Sequence, residues 1–193
     1  MDIIRPASKQ PIPDNAKRVF KGVLFDVYQW DQKLYDGTTT TFEKLKRPDT
    51  VVVFPVLPDG RIVLTEQEQP GKKPFVGACG GRVDPGEDVL AAAKRELREE
   101  SGYEASEYTL WDARHPTSKI DWVVYTFIAK GLQKAGELDL DGGEKIELKI
   151  VSLDELIDIA HTADFAEKEV AYELAEAKFN PAKRKELEEL FRP

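Results

Sequence analysis

Three glutamates lie close together near the end of one predicted helix, at Glu96, Glu99 and Glu100. At about 100° per residue, their side chains share an arc of about 100° on the helix surface. Like charges at this spacing, and acidic groups at a helix C-terminus, each destabilise a helix by a few tenths of a kcal/mol. A hard divalent cation would offset this cost, because Mg²⁺ prefers carboxylate oxygen and keeps waters for a phosphate substrate. The alternative is a solvated acidic helix face that binds no ligand.

The composition restricts the kind of metal site that this chain can build. It has a single cysteine, Cys79, which excludes an intramolecular disulfide and a cysteine-based zinc site. We expect Cys79 to be a small buried apolar residue. His115 and His161 are the two histidines, too few for a histidine cluster. Any metal must therefore be held by oxygen.

The net charge and the hydropathy of the chain limit its expected binding partners and location. Lys and Arg number 28 against 36 Asp and Glu, a net charge of −8, which disfavours nucleic acid and anionic membranes as partners. No apolar run approaches the roughly 18 residues that span a bilayer. The first residues, Met-Asp-Ile-Ile-Arg-Pro, do not resemble an export signal. We therefore expect a cytoplasmic protein, in keeping with its one cysteine.

The glutamates must be positioned by the helix predicted at 88–101, which places Leu90, Ala93 and Leu97 on one side. Gly102 is expected to end that helix. Ahead of it, Gly77, Gly80 and Gly81 predict a flexible loop.

The remaining elements predict an α/β (α+β) fold with a mixed sheet and flanking helices. After an extended arm at 1–15, strand patterns occur within 18–42 and at 50–55, 61–66, 122–129 and 146–151. Helices are predicted from a capping box at Ser152 and Glu155 to about 160, and over 166–178 and 181–191.

The segment from Gly81 to Tyr103 resembles the Nudix box, Gly-x5-Glu-x7-Arg-Glu-U-x-Glu-Glu-x-Gly-U, where U is a bulky aliphatic residue. Every fixed polar and glycine position is met, and only the aromatic Tyr103 departs. The resemblance implies the Nudix α/β/α sandwich and hydrolysis of a nucleoside diphosphate linked to another group, with Mg²⁺ or Mn²⁺. It implies metal binding by Glu96, Glu99, Glu100 and the Gly80 carbonyl, while Glu87 and Arg95 orient the loop and the carboxylates.

Looser motifs between about 17 and 160 resemble the ADP-ribose pyrophosphatase branch, among them Leu-Thr-Glu-Gln at 64–67 and Gly-Glu-Lys-Ile-Glu at 143–147. This implies cleavage of ADP-ribose to AMP and ribose 5-phosphate. It also implies a homodimer with an N-terminal antiparallel sheet at the interface, although that sheet could instead extend the monomer's own. The expected units are an arm and small sheet at 1–48, a Nudix domain at 49–163, and helices at 164–193 that pack on it.

Two departures from the branch leave the substrate open. Gln69 stands where relatives usually have Arg, and Gly77-Ala78-Cys79 stands where they often have Glu-x-Pro. Alternatives to ADP-ribose are GDP-mannose or another nucleoside diphosphate sugar, an oxidised nucleoside triphosphate or a nucleotide cap. A further alternative is a module that binds ADP-ribose without hydrolysing it.

The resemblance also suggests roles for individual side chains. Glu144, in a Gly-rich loop, matches the family's loop glutamate and is the expected general base, with Glu147 as the fallback. The alternative is that Glu144 is an acidic residue on a surface loop with no catalytic role. The predicted catalytic set is Glu144, Glu100, Glu99 and Arg95. Arg82 suits diphosphate oxygens. The predicted substrate-binding set is Arg82, Gln69, Pro116, and Trp30 and Tyr28, which could stack on a base or simply form core or dimer contacts.

Overall fold

The computed structural model describes residues 3–140, 142–143 and 145–193. In chain order, these residues form strands β1 (Lys17–Lys21), β2 (Asp26–Lys33), β3 (Thr39–Lys46), β4 (Thr50–Pro55), β5 (Ile62–Glu68), β6 (Phe75–Gly77) and β7 (Cys79–Arg82), helix α1 (Val89–Ser101), strands β8 (Tyr103–Arg114), β9 (Ile120–Asp121), β10 (Val124–Lys134) and β11 (Lys145–Val151), and helices α2 (Leu153–Ile159), α3 (Lys168–Glu176) and α4 (Pro181–Leu190).

A mixed sheet of order β7-β4-β10-β8 forms the centre of the fold, with β4 and β10 parallel and the other pairs antiparallel. Side chains along β4 alternate between its two faces. Val51 and Val53 pack with Leu97 of α1, whereas Val52 and Phe54 belong to a second cluster that α2, α3 and α4 complete. Helices therefore cover both faces of the sheet, which confirms the predicted α/β (α+β) class and the α/β/α sandwich with a mixed central sheet.

A second sheet, of order β1-β2-β3-β9, contains the N-terminal strands, and β1, β2 and β3 pair antiparallel. Every residue of β1 is exposed, including Val19 and Phe20, and Val23 just after it is exposed too. The arm ahead of this sheet contains no helix or strand over residues 3–16. Arg5 fixes the arm through ion pairs with Asp49 (2.8 Å) and Asp121 (2.9 Å).

The glycine segment differs from its prediction as a loop. Strands β6 and β7 occupy it, because β7 pairs antiparallel with β4 and β6 pairs with β5 in the third sheet, β11-β5-β6. A Cβ on Gly80 would lie 3.1 Å from Cα of Val52, so this glycine permits close approach of two backbones. Strand β8 was not predicted; it pairs with β10 along most of its length.

The last two helices pack on the central sheet through Leu174 and Leu187, both fully buried. Glu173 of α3 also accepts hydrogen bonds from Arg114 (2.7 Å) and Lys183 (3.0 Å), which ties β8 to both helices. None of the helices in the described part of the chain has the length and apolar character needed to cross a membrane.

Candidate active site

Helix α1 is fixed at both ends by local hydrogen bonds. The Asp88 carboxylate accepts from the backbone N–H groups of Leu90 (2.9 Å) and Ala91 (3.1 Å), as an N-cap does. At the other end, Gly102 adopts a left-handed conformation (φ 66°), and its N–H donates to the Arg98 carbonyl at 2.8 Å. The glutamates thus lie on a rigid element with defined ends.

A polar cavity of about 570 Å³ lies between α1 and the β7 edge of the central sheet. It brings together seven of the residues predicted to bind metal or substrate or to act in catalysis. These are Gln69, Gly80, Arg82, Arg95, Glu96, Glu99 and Glu100. Among residues outside that prediction, Asp139 also lines it, and its backbone N–H donates to the Glu99 carbonyl at 2.9 Å.

Arg95 contacts several groups around this cavity. Its Nε donates to Glu87 at 3.0 Å, and its Nη1 donates to Glu96 at 2.8 Å and to Glu99 at 3.1 Å. Its Nη2 donates to the backbone carbonyl of Arg82 at 2.9 Å. The hydrogen bond to Glu87 is the largest cause that raises the pKa of Arg95, and the same bond lowers the pKa of Glu87. One guanidinium therefore offsets the repulsion among the acids and connects Glu96 and Glu99 to the segment from Arg82 to Glu87.

The two glycines of β7 set the positions of two glutamates. Glu100 is 3% exposed, and its carboxylate accepts the Gly80 N–H at 2.7 Å. A Cβ on Gly81 would lie 2.6 Å from Cδ of Glu96, so a side chain at that position would displace the Glu96 carboxylate. The first glycine of the box, Gly81, is therefore required for a steric reason: it leaves room for the Glu96 carboxylate.

The donors around the cavity suit a hard divalent cation, since they are carboxylate oxygens beside the backbone of a glycine strand. In this conformation Arg95 engages Glu96 and Glu99, and the Gly80 amide engages Glu100. Across the described residues, no group of three Asp, Glu, His or Cys side chains has the arrangement of a formed metal site. The fit to a metal therefore rests on donor chemistry and a shared cavity.

Other predicted residues lie elsewhere. Trp30 is 7% exposed and packs against Phe42, with ring centroids 6.1 Å apart. Tyr28 lines a different cavity, formed with the N-terminal arm, and Pro116 is exposed. Glu147 lines a third cavity, alongside Phe75 and Asp164 among others. Glu144 lies outside the described residues.

Sequence reasoning did not single out Glu167, which is buried directly before α3. Its Oε1 accepts the Ala78 N–H at 3.1 Å, two residues ahead of Gly80. Its buried Oε2 has no hydrogen-bond partner among the residues that the structure describes. The sequence gives no signal for this contact, because the partners are 89 residues apart.

We expect Glu167 to make folding stability depend on pH. Burial raises its pKa to about 8 from an ordinary 4.5, against the opposing Ala78 hydrogen bond, while Glu169 raises it and Lys72 lowers it slightly. The folded protein then holds a proton that the unfolded chain loses above pH 4.5, so stability should fall as pH rises from about 5 to 8.

Urea unfolding of the parent protein and Glu167→Gln at pH 5 to 9 tests this expectation. From pH 5 to pH 8 the parent should lose roughly 2–4 kcal/mol of unfolding free energy relative to Glu167→Gln. Above pH 8 this difference should level off. A difference that is constant across the whole range would contradict it.

Known proteins resemble this chain in sequence and in fold. The model of the NUDIX domain family matches residues 46–174. An ADP-ribose pyrophosphatase of Bacillus subtilis (strain 168) is 29% identical over 159 residues, which cover 81% of this chain and 86% of that protein. A methanol dehydrogenase activator of Bacillus methanolicus is 32% identical over 146 residues, or 74% and 78% of the two chains. The crystal structure of an ADP compounds hydrolase has a TM-score of 0.72 at 23% identity, covering 95% of this chain and 97% of that one, a likeness of fold.

Proposed function

The chain belongs to the NUDIX family, as a pyrophosphohydrolase of the ADP-ribose pyrophosphatase-like branch, and we propose that it hydrolyses ADP-ribose to AMP and ribose 5-phosphate with Mg²⁺. Mn²⁺ is expected to substitute for Mg²⁺. The observation that carries the proposal is one cavity in which Glu96, Glu99 and Glu100 face the glycine edge of β7. The substrate is inferred from the outer sequence motifs and from the name of the Bacillus subtilis relative.

In the proposed reaction, water attacks a phosphorus atom of the diphosphate and the bridging P–O bond breaks. A divalent cation held by the three glutamates and the Gly80 carbonyl would neutralise charge on the diphosphate. Arg82, exposed at the cavity, binds diphosphate oxygens through its planar guanidinium. Arg95 orients Glu96 and Glu99, which it already contacts.

The proton of the attacking water goes to a carboxylate, and we assign this role to Glu144 on the sequence match alone. Asp139 is a further candidate, since it lines the same cavity as the glutamates. The cavity that Glu147 lines is a different one, which weakens its standing as the fallback.

The proposal includes a cytoplasmic homodimer joined through the N-terminal unit at 1–48, with the NUDIX domain at 49–163 and packing helices at 164–193. The exposed apolar residues Val19, Phe20 and Val23 support an interface there. Trp30 and Tyr28 lie on the same sheet, so a substrate role for them depends on a partner subunit.

A second candidate is hydrolysis of another nucleoside diphosphate sugar, such as GDP-mannose. Gln69 favours it, because this neutral amide lines the cavity where the branch usually has a charged Arg. A neutral donor and acceptor binds a sugar hydroxyl as readily as a phosphate oxygen.

A substrate panel tests the proposed function. ADP-ribose, GDP-mannose, NADH and 8-oxo-dGTP are assayed with Mg²⁺ for released phosphomonoester, and binding of each is measured by calorimetry. We expect kcat/KM for ADP-ribose to exceed the others by at least about tenfold. A higher value for GDP-mannose would move the assignment to the second candidate. Tight ADP-ribose binding without turnover would replace the enzyme by a binding module.

A further inference from the structure

Two buried carboxyl groups, one on α1 and one directly before α3, accept hydrogen bonds from backbone amides of one short segment. Ala78 donates to Glu167, just before α3, at 3.1 Å, and Gly80 donates to Glu100 of α1 at 2.7 Å. Ala78 directly precedes β7, and β7 is at the edge of its sheet, so among the described residues no further strand pairs with the outer side of β7. Because a buried amide without an acceptor is costly, the two carboxylates decide where this segment can lie.

The fit between Glu167 and this segment is close. A Cβ on Gly77 would lie 2.9 Å from Oε1 of Glu167, so the carboxylate packs directly on the glycine backbone. The chain leading to α3 is also bonded to β6, through Val76 N–H to the Asp164 carbonyl (3.0 Å) and Ala166 N–H to the Val76 carbonyl (2.8 Å). The segment and Glu167 therefore form one packed unit.

A buried chain of polar side chains holds the same segment from β5. Thr65, fully buried, donates to the Gly77 carbonyl at 3.1 Å and accepts from Gln67 at 2.9 Å. Gln67 in turn accepts from Gln69 at 3.4 Å, and Gln69 lines the cavity. Contacts on both sides thus connect residues 77–80 to the candidate active site.

We propose that Glu167 is a positioning residue, whose buried carboxyl fixes residues 77–79 so that the Gly80 N–H holds Glu100 in place for metal binding. The inference rests on the proposed metal-dependent function. It gives the residue directly before α3 the task of positioning the glycine segment. Removing the carboxyl leaves the Ala78 N–H without its acceptor and opens space beside Gly77, so β7 can shift relative to α1. Glutamine retains an acceptor oxygen of nearly the same shape and should preserve the position.

The first experiment measures the segment without metal. Hydrogen exchange of the peptide covering residues 75–83 is followed in the parent protein and in Glu167→Ala, with Glu169→Ala as the control on the first turn of α3. We expect Glu167→Ala to exchange at least tenfold faster at Ala78 and Gly80, and the control to match the parent. Equal exchange in both variants would overturn the proposal, whatever the substrate is.

The second experiment measures Mn²⁺ affinity by electron paramagnetic resonance. Glu167→Ala should raise the Mn²⁺ Kd by about tenfold or more, as loss of an outer positioning group does. The Mn²⁺ Kd of Glu167→Gln should stay within threefold of the parent value. At saturating metal, its KM for ADP-ribose should differ from that of the parent by less than twofold. Glu167→Asp, which keeps the carboxyl group but reaches less far, covers the case in which the alanine variant fails to fold, and it should raise the Mn²⁺ Kd several-fold.

The outcomes separate the two proposals. If the parent binds Mn²⁺ but neither Glu167→Ala nor Glu167→Asp changes its Kd, the positioning role is wrong and the function stands. If the parent binds Mn²⁺, the variants weaken it and no substrate in the panel is hydrolysed, the proposed function is wrong and the positioning role stands.

Discussion

Replacing Glu100 by Gln is expected to lower kcat/KM for the proposed diphosphate substrate by about 10²-fold or more and to move metal activation to higher Mg²⁺ concentration. Groups that only orient a metal ligand contribute about 10- to 100-fold to metal affinity, so loss of a ligand charge should cost at least the upper value. Glutamine fills the same buried space and can still accept the Gly80 N–H that Glu100 accepts at 2.7 Å. The measurement is kcat/KM as a function of Mg²⁺ concentration.

Glu104→Gln is the matched control for Glu100→Gln. It makes the same change of charge on β8, where Glu104 is exposed and pairs loosely with Arg98 at 3.8 Å. This variant should stay within twofold of the parent at every Mg²⁺ concentration. A Mg²⁺ titration of Glu100→Gln that matches the parent would remove Glu100 from the ligand set, provided that thermal unfolding shows both variants folded.

Replacing Glu144 by Gln is expected to lower turnover by about 10²-fold or more with little change in substrate binding. A positioned general base contributes about 10²- to 10⁴-fold, and glutamine cannot take the proton from water. The prediction follows from the family match of the loop, since Glu144 lies outside the described residues. Single-turnover kinetics at saturating Mg²⁺, with substrate affinity from calorimetry, separates the chemical step from binding.

Two further acids serve as comparisons for Glu144. Asp139→Asn probes the acid in the glutamate cavity, and Glu147→Gln probes the acid that lines a separate cavity. Both should retain turnover within about threefold of the parent. A Glu144→Gln turnover within threefold of the parent would rule out the base role, and a large loss in Asp139→Asn would transfer the role to that residue.

The features that the sequence predicted well depend on neighbouring residues. The helix with the glutamates begins at Val89 after the Asp88 cap and ends before Gly102, as its pattern indicates. The capping box of Ser152 and Glu155 is also present, with the Glu155 N–H donating to the Ser152 hydroxyl at 3.2 Å. Capping and amphipathic spacing act within a few residues, so they can be recognised in a single sequence.

The features that the sequence did not predict depend on contacts with residues that are distant along the chain. Gly77, Gly80 and Gly81 suggest a loop until β4 and β5 are brought beside them, and only then do they form strands. Glu167 gains its role through an amide that is distant along the chain. Trp30 has the aromatic surface that a base would stack on, but Phe42 packs against it within the same sheet. Such pairings are set by tertiary structure, which periodicity does not encode.

The central claim is that Glu96, Glu99 and Glu100 together hold a divalent cation. The most direct measurement is anomalous diffraction from crystals of the parent protein soaked in Mn²⁺, with Glu100→Gln crystals soaked under the same conditions. We predict an anomalous peak within bonding distance of carboxylate oxygens from these glutamates, and a weaker or absent peak in the variant. Parent crystals that diffract well at saturating Mn²⁺ and show no peak beside these three carboxylates would contradict the account.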